Sequence, residues 1–406
     1  MRVLYFIILP LLFAITSSAQ EGTYASRIDE IEAARKRKAQ DLQPETVTPT
    51  ERRLIEFKES RILEKLTFGV GGLRLRFGGL ITGSGFGLGP EYFRDDLLNG
   101  QAQFRATAQF STQLFQLYDT ALSLPKLAND HFFLSLRANH RNYPQMQYYG
   151  PGPKSQKTGR SDYRLEDTTY RGEAGVRPFR HVRFGVASGF LQVNVGPGTS
   201  KRYISAERIY SPTQAPGIDR QTDFLQGSVF AAFDSRDNPG GPRRGSLFAA
   251  TYTYNKDVGI ELNTHRRLDL EAQQYISFFN QRRVIALRGR SELTYANRGQ
   301  IVPFYLQPRL GGSDDLRGFR PFRFHDDNLI VINAEYRYEI FAGLDMALFA
   351  DGGKVFANKA DWNVGNLEGA YGIGMRFNTR NSVFMRLDTG FSREGFQVWL
   401  KFNNVF

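Results

Sequence analysis

The chemistry this chain advertises is electrostatic. It centres on Leu310–Phe322, LGGSDDLRGFRPF, with Arg317, Gly318 and Phe319 in the middle. The stretch is too polar for a strand facing lipid and too rich in glycine for a helix. Alternating runs flank it, Arg282–Ala296 before and Leu329–Phe341 after. The expected element is a long loop that folds back inside a barrel and is anchored there by Arg317. A guanidinium deep in a protein is costly unless carboxylates take its donors, and its planar fork suits them. Bond-making chemistry finds no such support. The 5 histidines are scattered without metal-ligand spacing, and no nucleophile is arranged with a base. Gly83–Gly89, GSGFGLG, lacks the fingerprint and the following helix of a nucleotide loop, and reads as a strand in which glycines let a sheet bend or open. No enzyme activity, cofactor or metal is expected.

The elements that must position Arg317 follow from composition and periodicity. The chain has 406 residues, 34 Phe and 19 Tyr, yet a mean hydropathy of −0.41. It is rich in aromatics without long apolar runs. A helical membrane protein needs about 20 consecutive apolar residues per span, and only the N-terminus comes near that. Strands that alternate apolar-out and polar-in reconcile the two facts. Alternating runs fall near 66–77, 79–94, 100–111, 114–125, 131–141, 162–178, 182–196, 222–237, 245–257, 265–279, 282–296, 328–341, 345–356, 368–379, 382–393 and 395–406. Their number is about sixteen, even as closed bacterial barrels require. In 329–341, Ile330, Ile332, Ala334, Tyr336, Tyr338 and Ile340 oppose Asn333, Glu335, Arg337 and Glu339. In 382–393, Val383, Met385, Leu387 and Phe391 oppose Arg386 and Asp388. A soluble sandwich also alternates, but it does not usually place charges in the middle of so many polar faces. Lipid outside and water inside allow that. The fold class expected is all-β, a transmembrane antiparallel β-barrel over 66–406.

Leu316-Arg317-Gly318-Phe319 after a Gly-Gly turn resembles the lumenal-loop motif of the BamA/TamA-type outer-membrane assembly family, which includes the bacterial surface antigens. The resemblance implies that Arg317 pairs with wall carboxylates. Glu335 in NAEYRYEI and Asp351 in Phe349-Ala350-Asp351-Gly352 stand at matching places. By strand parity both point into the lumen from consecutive strands. A third match is a turn motif, Asp234-Ser235-Arg236-Asp237-Asn238-Pro239, ending in Pro242 and Gly245. Tyr149-Gly150-Pro151-Gly152-Pro153 is similar to a tyrosine-glycine turn of the family but carries two extra prolines, and a structural role is expected. The last run places Phe396, Val398, Leu400, Phe402 and Phe406 on one face, which resembles the C-terminal assembly signal of outer-membrane barrels. Gly318 is expected to let the loop turn tightly, and Phe319 to pack on the wall.

Met1–Ala19 has a basic Arg2, an apolar core and small residues Ser17 and Ala19, the pattern of a secretory signal peptide. Residues 20–65 are charged and read as a short helical periplasmic arm, with a capping box at Thr48–Glu51 and an apolar stripe of Leu54, Ile55, Ile62 and Leu66. They are too few for the α/β periplasmic domains usual in the resembled family. No cysteine is present, which excludes disulfides and thiolate metal sites. The net charge of +12 is dispersed among acids, as in Arg288-Gly289-Arg290-Ser291-Glu292, so nucleic acid is not an expected partner.

The resemblance implies insertion of proteins into the outer membrane or translocation across it. The alternatives are an outer-membrane channel and a structural or docking barrel working with a separate periplasmic protein. Expected partners are outer-membrane lipid, client outer-membrane or secreted proteins, that periplasmic protein, and a second copy in a homo-oligomer. The seam between the glycine-rich 66–94 and 395–406, with Asn403 and Asn404 as poor strand formers, is expected to be weak.

Overall fold

The computed structural model describes residues 71–78, 80–341, 343–379 and 383–402, with Lys36, Pro49 and Arg52 isolated before them. Apart from those three, the expected signal peptide and helical arm lie outside the described residues, as do Asn403, Asn404 and Phe406.

Among the described residues, sixteen strands form one antiparallel sheet in sequence order. The first eight are β1 (Leu73–Phe77), β2 (Gly87–Asp96), β3 (Ala102–Ser111), β4 (Gln116–Leu127), β5 (Phe132–Tyr148), β6 (Ser161–Phe179), β7 (Val182–Pro197) and β8 (Phe224–Asp234). Then come β9 (Gly245–Asp257), β10 (His265–Phe278), β11 (Arg283–Ala296), β14 (Asn328–Phe341), β15 (Leu344–Phe356), β16 (Glu368–Asn378), β17 (Val383–Ser392) and β18 (Gly395–Lys401). Between β11 and β14 lies the long loop 297–327. It carries its own two-residue ladder of β12 (Arg309–Leu310) and β13 (Phe324–His325).

Alternation places the side chains as the sequence pattern requires. On β14, Asn333, Glu335 and Arg337 are buried, while Ile332 and Tyr338 are about two-fifths exposed. On β18, Phe396, Val398 and Leu400 are all more than half exposed. The face that water would reject is outside, and the ionic face is inside. Only a lipid exterior makes that arrangement favourable. Val383 departs from the expected face. A register shift between Phe377 and Asn378 interrupts its ladder, and Val383 is buried.

The expected strand over 79–94 is shorter than its pattern, because β2 starts only at Gly87. Gly83 and Gly85 adopt positive φ, which breaks an extended run. The Thr82 hydroxyl bonds Ser313 Oγ at 2.8 Å and donates to Asp314 at 3.0 Å, so this segment leaves the sheet and leans on the long loop.

No ladder joins β1 to β18 among the described residues. The sheet nevertheless curls until its edges meet side chain to side chain. The Phe402 ring lies 6.1 Å from Phe77, 5.6 Å from Phe86 and 5.7 Å from Phe384.

The two ends of the barrel differ. At one, strands turn over within a few residues, as at 279–282 between β10 and β11. At the other, 149–160, 198–223 and 297–308 pack together around Tyr148, Tyr163, Phe304 and Tyr305, all nearly inaccessible. The Tyr149–Pro153 turn belongs to this cap, where the amide of Gly152 donates to His325 O at 2.7 Å.

Candidate functional site

The loop 297–327 descends into the lumen, and its tip is held from five strands. Arg317 Nη1 donates to Glu335 Oε2 of β14 at 2.6 Å. Its Nε and Nη2 grip Asp351 of β15 at 2.9 and 2.7 Å, and its own amide adds a bond to Asp351 at 3.1 Å. The guanidinium lies 3.5 Å from the centre of the Phe349 ring. All three charged side chains are inaccessible to solvent. Burial alone would depress the Arg317 pKa; Asp351 and Glu335 more than reverse this and hold the charge in place.

The backbone of the tip is pinned as well. Trp399 of β18 donates its indole N–H to Arg317 O at 2.7 Å, and Ser392 at the end of β17 donates to Gly318 O at 2.8 Å. The chain turns tightly here, the Phe319 amide donating to Leu316 O at 3.0 Å, and Gly318 makes the turn without a positive φ. Its role is close approach: a Cβ there would sit 2.6 Å from Phe391 O. Gly390 of β17 is the matching half, because a Cβ on it would collide with Arg317 O. Phe319 is fully buried with Leu310, Leu316 and Phe324, and its ring meets Phe324 edge-on at 5.4 Å.

Glu335 and Asp351 are two members of a wider array. Arg376 of β16 donates to Glu335 Oε2 at 2.8 Å and to Asp388 Oδ1 at 2.6 Å. Arg386 of β17 reaches Asp388 at 2.8 Å and Asp314 of the loop at 2.6 Å. Arg337 of β14 reaches Glu335 Oε1 at 2.8 Å. Four guanidinia thus face four carboxylates. Such balance is what makes buried charge tolerable, since each unpaired ion would cost several kcal/mol. Sequence reasoning put Arg386 and Asp388 on the polar face but assigned them nothing, and it missed Arg376. The one signal they carry is lumenal parity, on strands two and three places along the sheet from that of Glu335.

The turn motif lies at the short-turn end, between β8 and β9. Arg236 clamps Asp234 with two bonds of 2.9 Å. Asp237 Oδ1 accepts from the amides of Asn238 and Arg243 at 2.9 and 3.1 Å. Asn238 Oδ1 in turn accepts from Gly240. Gly245 has φ +100°, and a Cβ on it would collide with Ser235 O. Pro242 O accepts from Arg337 at 3.2 Å. The turn therefore touches the loop anchor through Arg337 and Glu335, a link the sequence did not reveal. Of the expected C-terminal signal, Phe396, Val398 and Leu400 face outward, and Phe402 packs at the seam.

Among the described residues, no cluster of His, Cys, Asp or Glu has metal-holding geometry. The charge-balanced array anchors and orders the loop tip.

A lipid-facing sixteen-stranded sheet with an inward loop clamped by arginine defines an outer-membrane β-barrel protein with an internal plug. The chain belongs to the Omp85 superfamily, whose domain it matches over residues 98–392. Its fold is similar to that of BamA from Haemophilus ducreyi lacking POTRA domains 1-3, with a TM-score of 0.60 at 14% identity, over 83% of this chain and 70% of that one. It is also similar to CdiB from Escherichia coli, with a TM-score of 0.55 at 12% identity, over 80% of this chain and 60% of that one. No curated protein matches the sequence. The protein is localised to the outer membrane.

Proposed function

We propose that this protein inserts proteins into the outer membrane, or passes them across it, by opening the seam between β1 and β18. The observation that carries the reading is the seam itself. Every interior strand is laddered to both its neighbours, whereas the edges meet through the Phe402 ring. An edge with free backbone groups can template an incoming strand, which is β-augmentation. The Arg317 array braces β14 to β18 from inside, so opening would expose one stiff edge and one short one, β1 being 5 residues long. The anchored plug argues against a wide diffusion channel.

A disulfide tests the mechanism, because the native chain has no cysteine to interfere. A Cβ built at Gly78 lies 3.3 Å from Phe402 Cβ, close to the roughly 3.5–4.5 Å of a disulfide. Oxidised Gly78→Cys/Phe402→Cys protein should fold but fail to restore the outer-membrane protein inventory of depleted cells, and a reductant should restore it. Full function in the oxidised state would remove lateral opening and favour a docking barrel with a separate periplasmic partner.

A further inference from the structure

We propose that the outer wall over β8 to β14 is a binding site for one anionic membrane lipid, with its acyl chain in an apolar trough and its headgroup at Arg266 and Lys359. The trough holds about 680 Å³, within the roughly 300–1,000 Å³ of ligand-sized clefts. Cross-strand register builds it. Ala231 pairs with Ala250, and Ala250 with Leu270; one row down, Ala272 pairs with Gly289, and Gly289 with Ile332. Small side chains here recess a wall that is elsewhere studded with large ones. Phe184 and Phe248, each about half exposed, stand up as its rim. A Cβ placed on Gly289 would meet nothing within 4 Å. This wall faces lipid because the intervening residues of β11, Arg290 and Glu292, face the lumen, where Arg290 contacts both Glu292 and Asp315.

The upper end is closed by a strap. The loop 357–367 folds outward and down over the wall instead of standing clear of it. The Trp362 indole donates to Ser291 Oγ at 3.1 Å, and Ser291 in turn donates to Leu329 O at 3.0 Å. That satisfies the polar atom of the outward lining, and what remains is apolar. Lys354, which also points outward, is occupied by the strap, donating to Asn363 Oδ1 and Gly365 O, both at 2.9 Å. Lys359 crosses the Tyr295 ring at 3.8 Å. Arg266 pairs in register with both Tyr254 and Tyr295, and it lies over the Tyr254 ring at 6.0 Å. Two cations among tyrosines therefore sit at the long-loop end, six residues along β10 from Ala272. That is about 20 Å of strand. Aromatic side chains of this kind mark the headgroup level of a membrane. Headgroup charge above and an apolar recess below is the layout of a lipid.

Trp362 reports on the site, since the chain has 2 tryptophans and the other, Trp399, bonds Arg317 O inside the barrel. The full protein would be reconstituted in phosphatidylcholine vesicles containing brominated-chain phosphatidylglycerol or brominated-chain phosphatidylcholine, with Trp362→Phe giving the Trp399 background. The anionic lipid should quench Trp362 with an association about fivefold higher for each cation engaged. Arg266→Gln/Lys359→Gln should equalise the two headgroups. Gly289→Phe should reduce quenching by either lipid to that set by its bulk fraction, while the gel shift on boiling stays that of the native protein. Quenching of the unaltered protein that follows bulk fraction equally for both lipids would mean ordinary solvating lipid and overturn the site. A dimer lost in Gly289→Phe would overturn it too, assigning the trough to a second copy.

Discussion

Removing the Arg317 side chain is the sharpest perturbation of the plug. Arg317→Ala deletes three donor contacts, one to Glu335 and two to Asp351. The two acids are not left equally exposed to the loss. Glu335 keeps the guanidinia of Arg337 and Arg376. Among the described residues, Asp351 keeps neutral donors, Asn333 Nδ2 at 2.8 Å and the amide of residue 317. Breaking a buried pair by removing one partner costs about 3–5 kcal/mol, and the retained partners of Glu335 place this case at the lower end. About 3 kcal/mol corresponds to roughly a hundredfold rise in the undocked loop population. Because the penalty is concentrated on Asp351, adding Asp351→Asn to Arg317→Ala should recover about 1 kcal/mol, a coupling of ordinary size for contacting residues. Arg317→Lys keeps the charge but not the fork and should fall between. Hydrogen exchange at 310–322 and limited proteolysis of the folded protein in detergent measure the opening. If Arg317→Ala and Asp351→Ala each leave both unchanged, the loop is held by its apolar and backbone contacts and the electrostatic reasoning is wrong.

Gly390→Ala should lift the tip with all charges intact, since its Cβ would fall on Arg317 O; an overpacking cost of about 1–3 kcal/mol is expected, visible as a shift in Trp399 emission. At the base of the loop, burial pushes the Asp326 carboxyl up to about 6, against a bond from the Asp327 amide that lowers it and with a smaller rise from the Asp327 carboxylate. A raised carboxyl favours its protonated form in the folded state, so the loop base should gain protection from proteolysis as pH falls through 6 towards 4 and lose it as pH rises; Asp326→Asn should abolish that dependence. The unaltered protein should migrate differently in gels before and after boiling and show a strand-dominated circular dichroism spectrum, and a mainly helical spectrum would refute the fold. In planar bilayers it should conduct little, and Arg317→Ala should conduct more; a large steady conductance in the unaltered protein would favour the channel alternative.

Much of this architecture was legible because a membrane strand must declare its two faces in every residue. The outward and inward sets of β14 and β18 could be read from parity alone. Parity failed where the backbone stopped being regular. The register shift near Asn378 turned Val383 out of its expected face, and Gly83 and Gly85 ended an apparent strand by adopting positive φ. The Arg317 pairing was legible because the family resemblance implied the two acids, and both shared lumenal parity on consecutive strands. Arg376 was not, because nothing local distinguishes it from other lumenal arginines; only the curl of the sheet brings it to Glu335. The Pro242 link escaped for the same reason, since a carbonyl oxygen carries no sequence signature.

The distribution of the Arg317 partners along the chain bears on the order in which the protein can be built. Glu335, Asp351, Ser392 and Trp399 all lie between Asn328 and Lys401, as do Arg376, Arg386 and Asp388 behind them. None of β1 to β10 supplies a side-chain bond to Arg317. The last five strands with their loop therefore hold a complete set of counter-charges, so this portion can settle first and present a finished inner surface on which the N-terminal strands are then laid. Assembly in the opposite direction would carry eleven paired strands around a loop whose arginine has nowhere to dock until the last strands arrive.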